Sequence, residues 1–224
     1  MSATSPPQRV ERRARRPRDE WEAEILVSAR RTFAEEGYDV SINEIIERSG
    51  APVGTFYRLF SDKDVLFARV MQDLGPRYID EIERGVEQAC DDAAIDDGDP
   101  WRRFRATVET MITVGAGEFS DVARLYFSDV RGLGPSRSVA RSVESAERAL
   151  LVEAIADALQ AEDATCESPE FTAVAVLGAV RRVTEEYVTG RDDPPVEIAA
   201  GRMADLLISG VRGDVPQEPE CSRG

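Results

Sequence analysis

Ser41-Ile-Asn-Glu-Ile-Ile-Glu-Arg-Ser-Gly50-Ala-Pro-Val-Gly-Thr-Phe-Tyr-Arg-Leu-Phe60-Ser-Asp-Lys63 decides how the rest of the chain is read. Ser41 followed by Glu44 is a capping box, so a short helix starts there with Ile42, Ile45 and Ile46 as its apolar face. Gly50 ends it, because glycine takes a left-handed position at no steric cost. Pro52 suits the first turn of a second helix, where its missing N–H is no loss. Phe56 and Phe60 lie four apart on that helix and share a face. Ser61 and Asp64 repeat the capping pattern and open a third helix. Two short helices joined by a tight glycine-containing turn make a helix-turn-helix, whose second helix enters a DNA major groove.

The wording of this stretch resembles a known family. Gly54-Thr-Phe-Tyr-Arg-Leu-Phe-Ser-Asp-Lys-Asp-Val-Leu66 is similar to the signature of the TetR (tetracycline-repressor-like) regulators, Gly-Thr-Leu-Tyr-x-x-Phe-x-x-Lys-x-x-Leu. Phe33-Ala-Glu-Glu-Gly-Tyr38 matches the family's Phe-Ala-x-x-Gly-Tyr at the expected distance upstream. The resemblance covers roughly residues 19–74. It implies an all-α protein with an N-terminal three-helix DNA-binding domain and a larger helical ligand-binding and dimerisation domain. The expected divisions are a disordered basic arm over 1–18, the helix-turn-helix domain over 19–64, the regulatory domain over 65–212 and a disordered tail over 213–224.

By the same resemblance the DNA-facing set is Ser41, Pro52, Val53, Gly54, Thr55, Tyr57, Arg58 and Lys63. The hydroxyls of Thr55 and Tyr57 can donate to phosphate oxygens, and Lys63, the only lysine, sits near a helix N-terminus. Gly54 lets the backbone approach the duplex closely. Val53 offers methyl groups to thymine, and Arg58 suits a phosphate or a guanine edge. Two positions depart from the family pattern. Pro52 replaces a capping serine, and Leu59 stands where histidine often contacts phosphate, so Arg58 is expected to take up part of that load.

Composition narrows the field. The chain has 224 residues, 42% hydrophobic and 32% charged, ordinary for a soluble protein with a sizeable core. It has no histidine, which removes Ser-His-Asp and Cys-His catalysis and the commonest zinc ligand. No enzyme chemistry, cofactor or metal is expected. Cys90, Cys166 and Cys221 form no ligand pattern and suit a reducing compartment. With no apolar leader and no long apolar run, the expectation is a cytoplasmic protein without a membrane partner.

Net charge is −15, yet residues 1–64 hold 11 basic and 12 acidic side chains, so the excess negative charge falls after residue 64. An acidic body repels phosphates and leaves one face competent to dock. Six arginines between Arg9 and Arg18 make either a solvated tail or an arm that follows the backbone or a minor groove.

Helical periodicity runs through the remainder. A first helix spans about 19–36, and one from Asp62 breaks or kinks at Gly75-Pro76 before another over 77–90. The acidic linker 91–100 lacks the spacing of a calcium loop. Further helices line up Trp101 to Ile112, Phe119 to Val130, Val139 to Leu159, then 168–189 and 195–211. Trp101, Phe104, Thr107, Met111, Phe119, Leu125 and Tyr126 are either plain core or the wall of an effector pocket. In the penultimate helix small residues separate large ones. The resemblance pairs the last two helices with those of a second copy, through Val174, Leu177, Gly178, Arg181, Leu206 and Leu207; an intra-chain core helix is the other reading. The expected function is a ligand-responsive regulator, a repressor, that binds a palindromic operator as a homodimer and is released by a small apolar effector of unknown identity. A small-molecule-binding or adaptor protein that has lost DNA binding is the alternative.

Overall fold

The computed structural model describes residues 17–91, 98–127, 136–163 and 168–212, without the side chains at 122, 126, 127 and 136. The arm over 1–16, the middle of the acidic linker and the tail from 213 lie outside the described residues, as do Cys166, Cys221 and the side chain of Tyr126. Every regular element among the described residues is helical: α1 Arg18–Glu36, α2 Ile42–Ser49, α3 Val53–Leu59, α4 Lys63–Asp91, α5 Arg102–Ala116, α6 Ser120–Phe127, α7 Ser136–Ala161, α8 Pro169–Val188 and α9 Val196–Arg212.

Apolar side chains collect in two cores. The first joins Ile25, Ala29 and Phe33 of α1, Ile45 and Ile46 of α2, Phe56 of α3 and the first half of α4. Phe33, Tyr38 and Phe67 meet there, the two contacts of Phe67 being edge-to-face at 5.1 and 5.2 Å. Phe119, Leu125 and Val143 also belong to this core, so α6 and α7 pack on the head rather than only on the body. The second core is built from α5, the later part of α7, α8 and α9 around Trp101, Phe104, Met111, Leu151 and Ile155.

One helix crosses from the first core to the second. α4 runs 29 residues without a break, a length of about 43 Å. This corrects the expected interruption at Gly75-Pro76: Pro76 lies inside the helix. Proline disfavours a helical predecessor mainly by striking its Cβ and N–H, and Gly75 has no Cβ to strike. Packing supplies the rest. A Cβ at Gly75 would lie 2.8 Å from Val143 Cγ2, so α4 and α7 touch at this point. Both helix and close contact depend on the same missing methyl.

Between these cores lies a buried ionic contact. Glu147 of α7 receives Arg181 of α8 and, at 3.1 Å, the hydroxyl of Tyr78 of α4; Glu144 lies 3.4 Å from the same guanidinium. Three helices are thereby pinned by one carboxylate.

Candidate nucleic-acid interface

α2 begins as the cap predicts. Ser41 has extended backbone and its Oγ accepts from the Glu44 N–H at 3.2 Å. The reciprocal half of the box is absent, because the Glu44 carboxylate accepts from Arg48 at 2.9 Å instead. Arg48 also bonds Glu35 at 2.9 Å and Glu36, tying the end of α1 to α2. The neighbouring Arg31 holds the Glu35 carboxyl below its ordinary range. Gly50 closes α2 at φ 64°, ψ 9°, the left-handed conformation that only glycine adopts cheaply.

α3 then starts without a side-chain cap, as proline in place of serine implies. The Pro52 carbonyl accepts from Thr55 and Phe56 at 2.8 and 3.0 Å, so the turn closes through backbone alone. Phe56 is fully buried and fixes the rotation of the helix. That rotation turns Val53, 60% exposed, and Tyr57, 47% exposed, to solvent, together with Pro52, Gly54 and Arg58. Thr55 is half-buried at the edge. Gly54 has no steric reason to be glycine: a Cβ there would meet nothing within 4 Å. A helical glycine costs roughly 1 kcal/mol relative to alanine, which is consistent with a demand from outside the chain.

The next turn departs from the expected pattern. Asp62, not Ser61, caps α4: its Oδ1 accepts the Val65 N–H at 2.8 Å, while Ser61 donates to Oδ2 at 2.9 Å. The Val65 bond first, and then Ser61, hold the Asp62 carboxyl below its ordinary range. Asp64 instead accepts from the Tyr38 hydroxyl. Lys63 is turned inward. Its Nζ donates to the Tyr38 and Val40 carbonyls at 2.8 and 3.2 Å and lies 4.4 Å from the Tyr38 ring centroid. An ammonium has three donors, so one is left for a phosphate. The sequence offered Asp64 only as a capping partner of Ser61 and Tyr38 only within the Gly-Tyr that ends α1; neither these nor Asp62 were given a role around Lys63.

The predicted DNA set therefore splits by geometry. Pro52, Val53, Gly54, Tyr57 and Arg58 share the open face of α3, Thr55 lies at its margin, Ser41 caps the preceding helix, and Lys63 braces the head from behind.

The other two predicted sets are less coherent. Trp101, Phe104, Thr107 and Met111 are closed into the body core, and the Thr107 hydroxyl donates to the Arg103 carbonyl at 2.8 Å. Phe119 and Leu125 belong to the head-side core instead, so these residues do not line one cavity. On the last two helices Val174, Gly178 and Leu206 face solvent, joined by Phe171 and Ile198, which were not predicted. Leu177 turns into its own body core, Leu207 is half-buried, and Arg181 is engaged by Glu147. Among the described residues no cluster of ligating side chains could hold a metal, and no helix is long and apolar enough to cross a membrane.

A three-helix head with an outward second helix-turn-helix helix, set on a helical body, defines a helix-turn-helix DNA-binding protein. Residues 25–70 match the family described as bacterial regulatory proteins, tetR family. That match assigns the head, residues 25–70, to the DNA-binding domain of this family. A curated relative, the HTH-type transcriptional activator FasR of Mycolicibacterium smegmatis, is 34% identical over 98 residues. The aligned part is 43% of this chain and 41% of that protein, so the chain matches about two-fifths of the relative's length. Among solved structures, a transcriptional regulator from Pseudomonas aeruginosa PAO1 superposes with a TM-score of 0.73 at 15% identity, over 91% of this chain and 95% of that one. FadR from Bacillus subtilis, solved with stearoyl-CoA, gives 0.67 at 14% identity over 84% of this chain and 98% of its own. At such identities these two likenesses speak for the fold alone.

Proposed function

We propose that this protein is a transcriptional repressor, not an enzyme, that binds a palindromic operator as a homodimer and leaves it when a small, largely apolar effector binds the body. The observation that carries the reading is the open face of α3, where Val53, Gly54, Tyr57 and Arg58 stand clear of the chain while Phe56 anchors the helix behind them. Val53 reads a thymine methyl, Arg58 a guanine edge or a phosphate, and the Thr55 and Tyr57 hydroxyls position the backbone. Homodimer formation is supported by the apolar residues exposed on α8 and α9. Two heads then present two recognition helices to successive major grooves, about 34–36 Å apart.

Selection of bound duplexes from a random pool tests this. The expected result is an inverted repeat with half-sites one helical turn apart. Val53→Ser should then relax the preference at one base pair per half-site, by about 1–3 kcal/mol. Retention of no duplex at low ionic strength would overturn the reading. Loss of affinity for all sequences equally would remove the base-reading role of Val53. A reporter downstream of the selected operator fixes the sign: expression falls when the protein is supplied and recovers with effector.

A further inference from the structure

We infer that the effector site is the groove between α4 and α7, and that its ligand is an organic cation with an apolar tail. The regulatory half of this inference rests on the function proposed above; the binding half does not. The groove is open to solvent along one side and offers about 570 Å³, within the range that takes a drug-sized molecule. Its floor is apolar, formed by Pro76 and Ile79 of α4 with Val139 and Val143 of α7. Gln72, Ser138 and Ser142 add uncharged polar groups, and no basic side chain lines it.

Charge selects among apolar ligands. Asp80 and Glu83 both line the groove, three residues apart and so on the same face of α4. Neither has a salt bridge among the described residues, whereas Glu81 between them is paired with Arg84. Two like charges side by side repel each other and raise the local affinity for a cation. The acidic body, which holds most of the net charge of −15, adds long-range attraction of the same sign. A polyanionic ligand such as the stearoyl-CoA in the Bacillus subtilis FadR structure would face repulsion here from both sources. A quaternary or protonated amine meets the opposite field, with its hydrocarbon on Ile79, Val139 and Val143.

Position gives the groove leverage. It straddles Gly75-Pro76, where α4 has no amide hydrogen at Pro76 to give its own ladder and is easiest to bend. Gly75 and Val143 are also in close contact there, and Val143 belongs to the core of the head. A molecule wedged between the helices favours the arrangement in which they separate, and differential affinity for that arrangement shifts the population off DNA.

Calorimetry on the full chain at neutral pH tests the binding half, with decyltrimethylammonium as the cation, decyldimethylamine N-oxide as its net-neutral counterpart and decyl sulfate as the anion, all below micelle formation. The cation should bind about tenfold more tightly than the N-oxide, decyl sulfate more weakly than either, and the advantage should shrink with salt. The double variant Asp80→Asn/Glu83→Gln should lose that tenfold and keep N-oxide affinity within twofold. Ser142→Trp, a change on an exposed rim, should exclude both. Equal binding of cation and N-oxide, or an unaltered double variant, overturns the site. Operator-binding assays then separate the two levels. Cation binding by a chain that retains no duplex leaves the groove standing and sinks the proposed function. Operator binding without cation binding sinks the groove alone. Both together, with the operator still held, overturn the regulatory half.

Discussion

Lys63 is the only lysine in the chain, and most of its hydrogen-bonding capacity is directed inward. Two carbonyls and an aromatic ring hold its ammonium against the turn after α1, so it links that turn to the start of α4. Hydrogen bonds to a charged group are worth about 1.5–3 kcal/mol each before solvent exposure is discounted. Lys63→Ala should therefore lower stability by about 2 kcal/mol in urea unfolding, and operator affinity should fall with it. Thr55→Ala is the contrasting case: a weaker complex with an unchanged unfolding midpoint. If Lys63→Ala unfolds like the parent, the brace is not a brace and the ammonium serves DNA alone. Spacing put this lysine near a helix N-terminus, and it is the first residue of α4. It could not reveal the direction of the side chain, because a four-carbon stem reaches either the duplex or the carbonyls behind it.

Helices were legible because their apolar faces repeat at the helical period, and α1, α7, α8 and α9 start and end close to where the pattern puts them. Local competition was harder to foresee. Glu44 fits a capping box but bonds Arg48, and Asp62 displaces Ser61 as the cap of α4 through a bond to Val65. Gly75-Pro76 reads as a stop, yet in this pair the glycine removes the clash that makes proline a stop. Periodicity also collected Trp101, Phe104, Phe119 and Leu125 as one apolar group without distinguishing the two cores that divide them. The Glu147–Arg181 pair had no local signature, since its partners lie 34 residues apart on different helices. Its energetics follow from burial. Glu147→Leu removes the nearest and most buried carboxylate from the Arg181 guanidinium and should cost about 3 kcal/mol, near the low end for a broken buried pair. Adding Arg181→Met should restore most of that, because the buried guanidinium is then removed together with its nearest carboxylate. A double variant no more stable than the single one in chemical unfolding would show that the pair itself, not the buried guanidinium left without Glu147, sets the cost.

At the scale of the molecule the head and body are joined by more than α4. Arg30 of α1 lies 3.6 Å from Asp121 of α6, and Arg124 of α6 donates to the Val188 carbonyl at the end of α8, 3.2 Å away. α6 thus touches both the reading head and a helix of the proposed dimer face, so in the proposed dimer the spacing of the two heads follows from how the two bodies pack. On that face Phe171 is 74% and Leu206 67% exposed. Neither can be important to the fold of one chain, which makes them clean probes. Phe171→Asp with Leu206→Glu should convert the protein to a monomer in sedimentation while its helical circular dichroism stays unchanged. Affinity for the full palindrome should then fall by at least about 100-fold, the scale on which linking two binding events normally raises avidity. Affinity for an isolated half-site should stay within about twofold, because that contact is made by one head alone. Undiminished binding of the palindrome by the monomeric variant would mean that each head acts independently. In that case the body could not control DNA binding by setting the distance between heads, and an effector would have to act within the head itself.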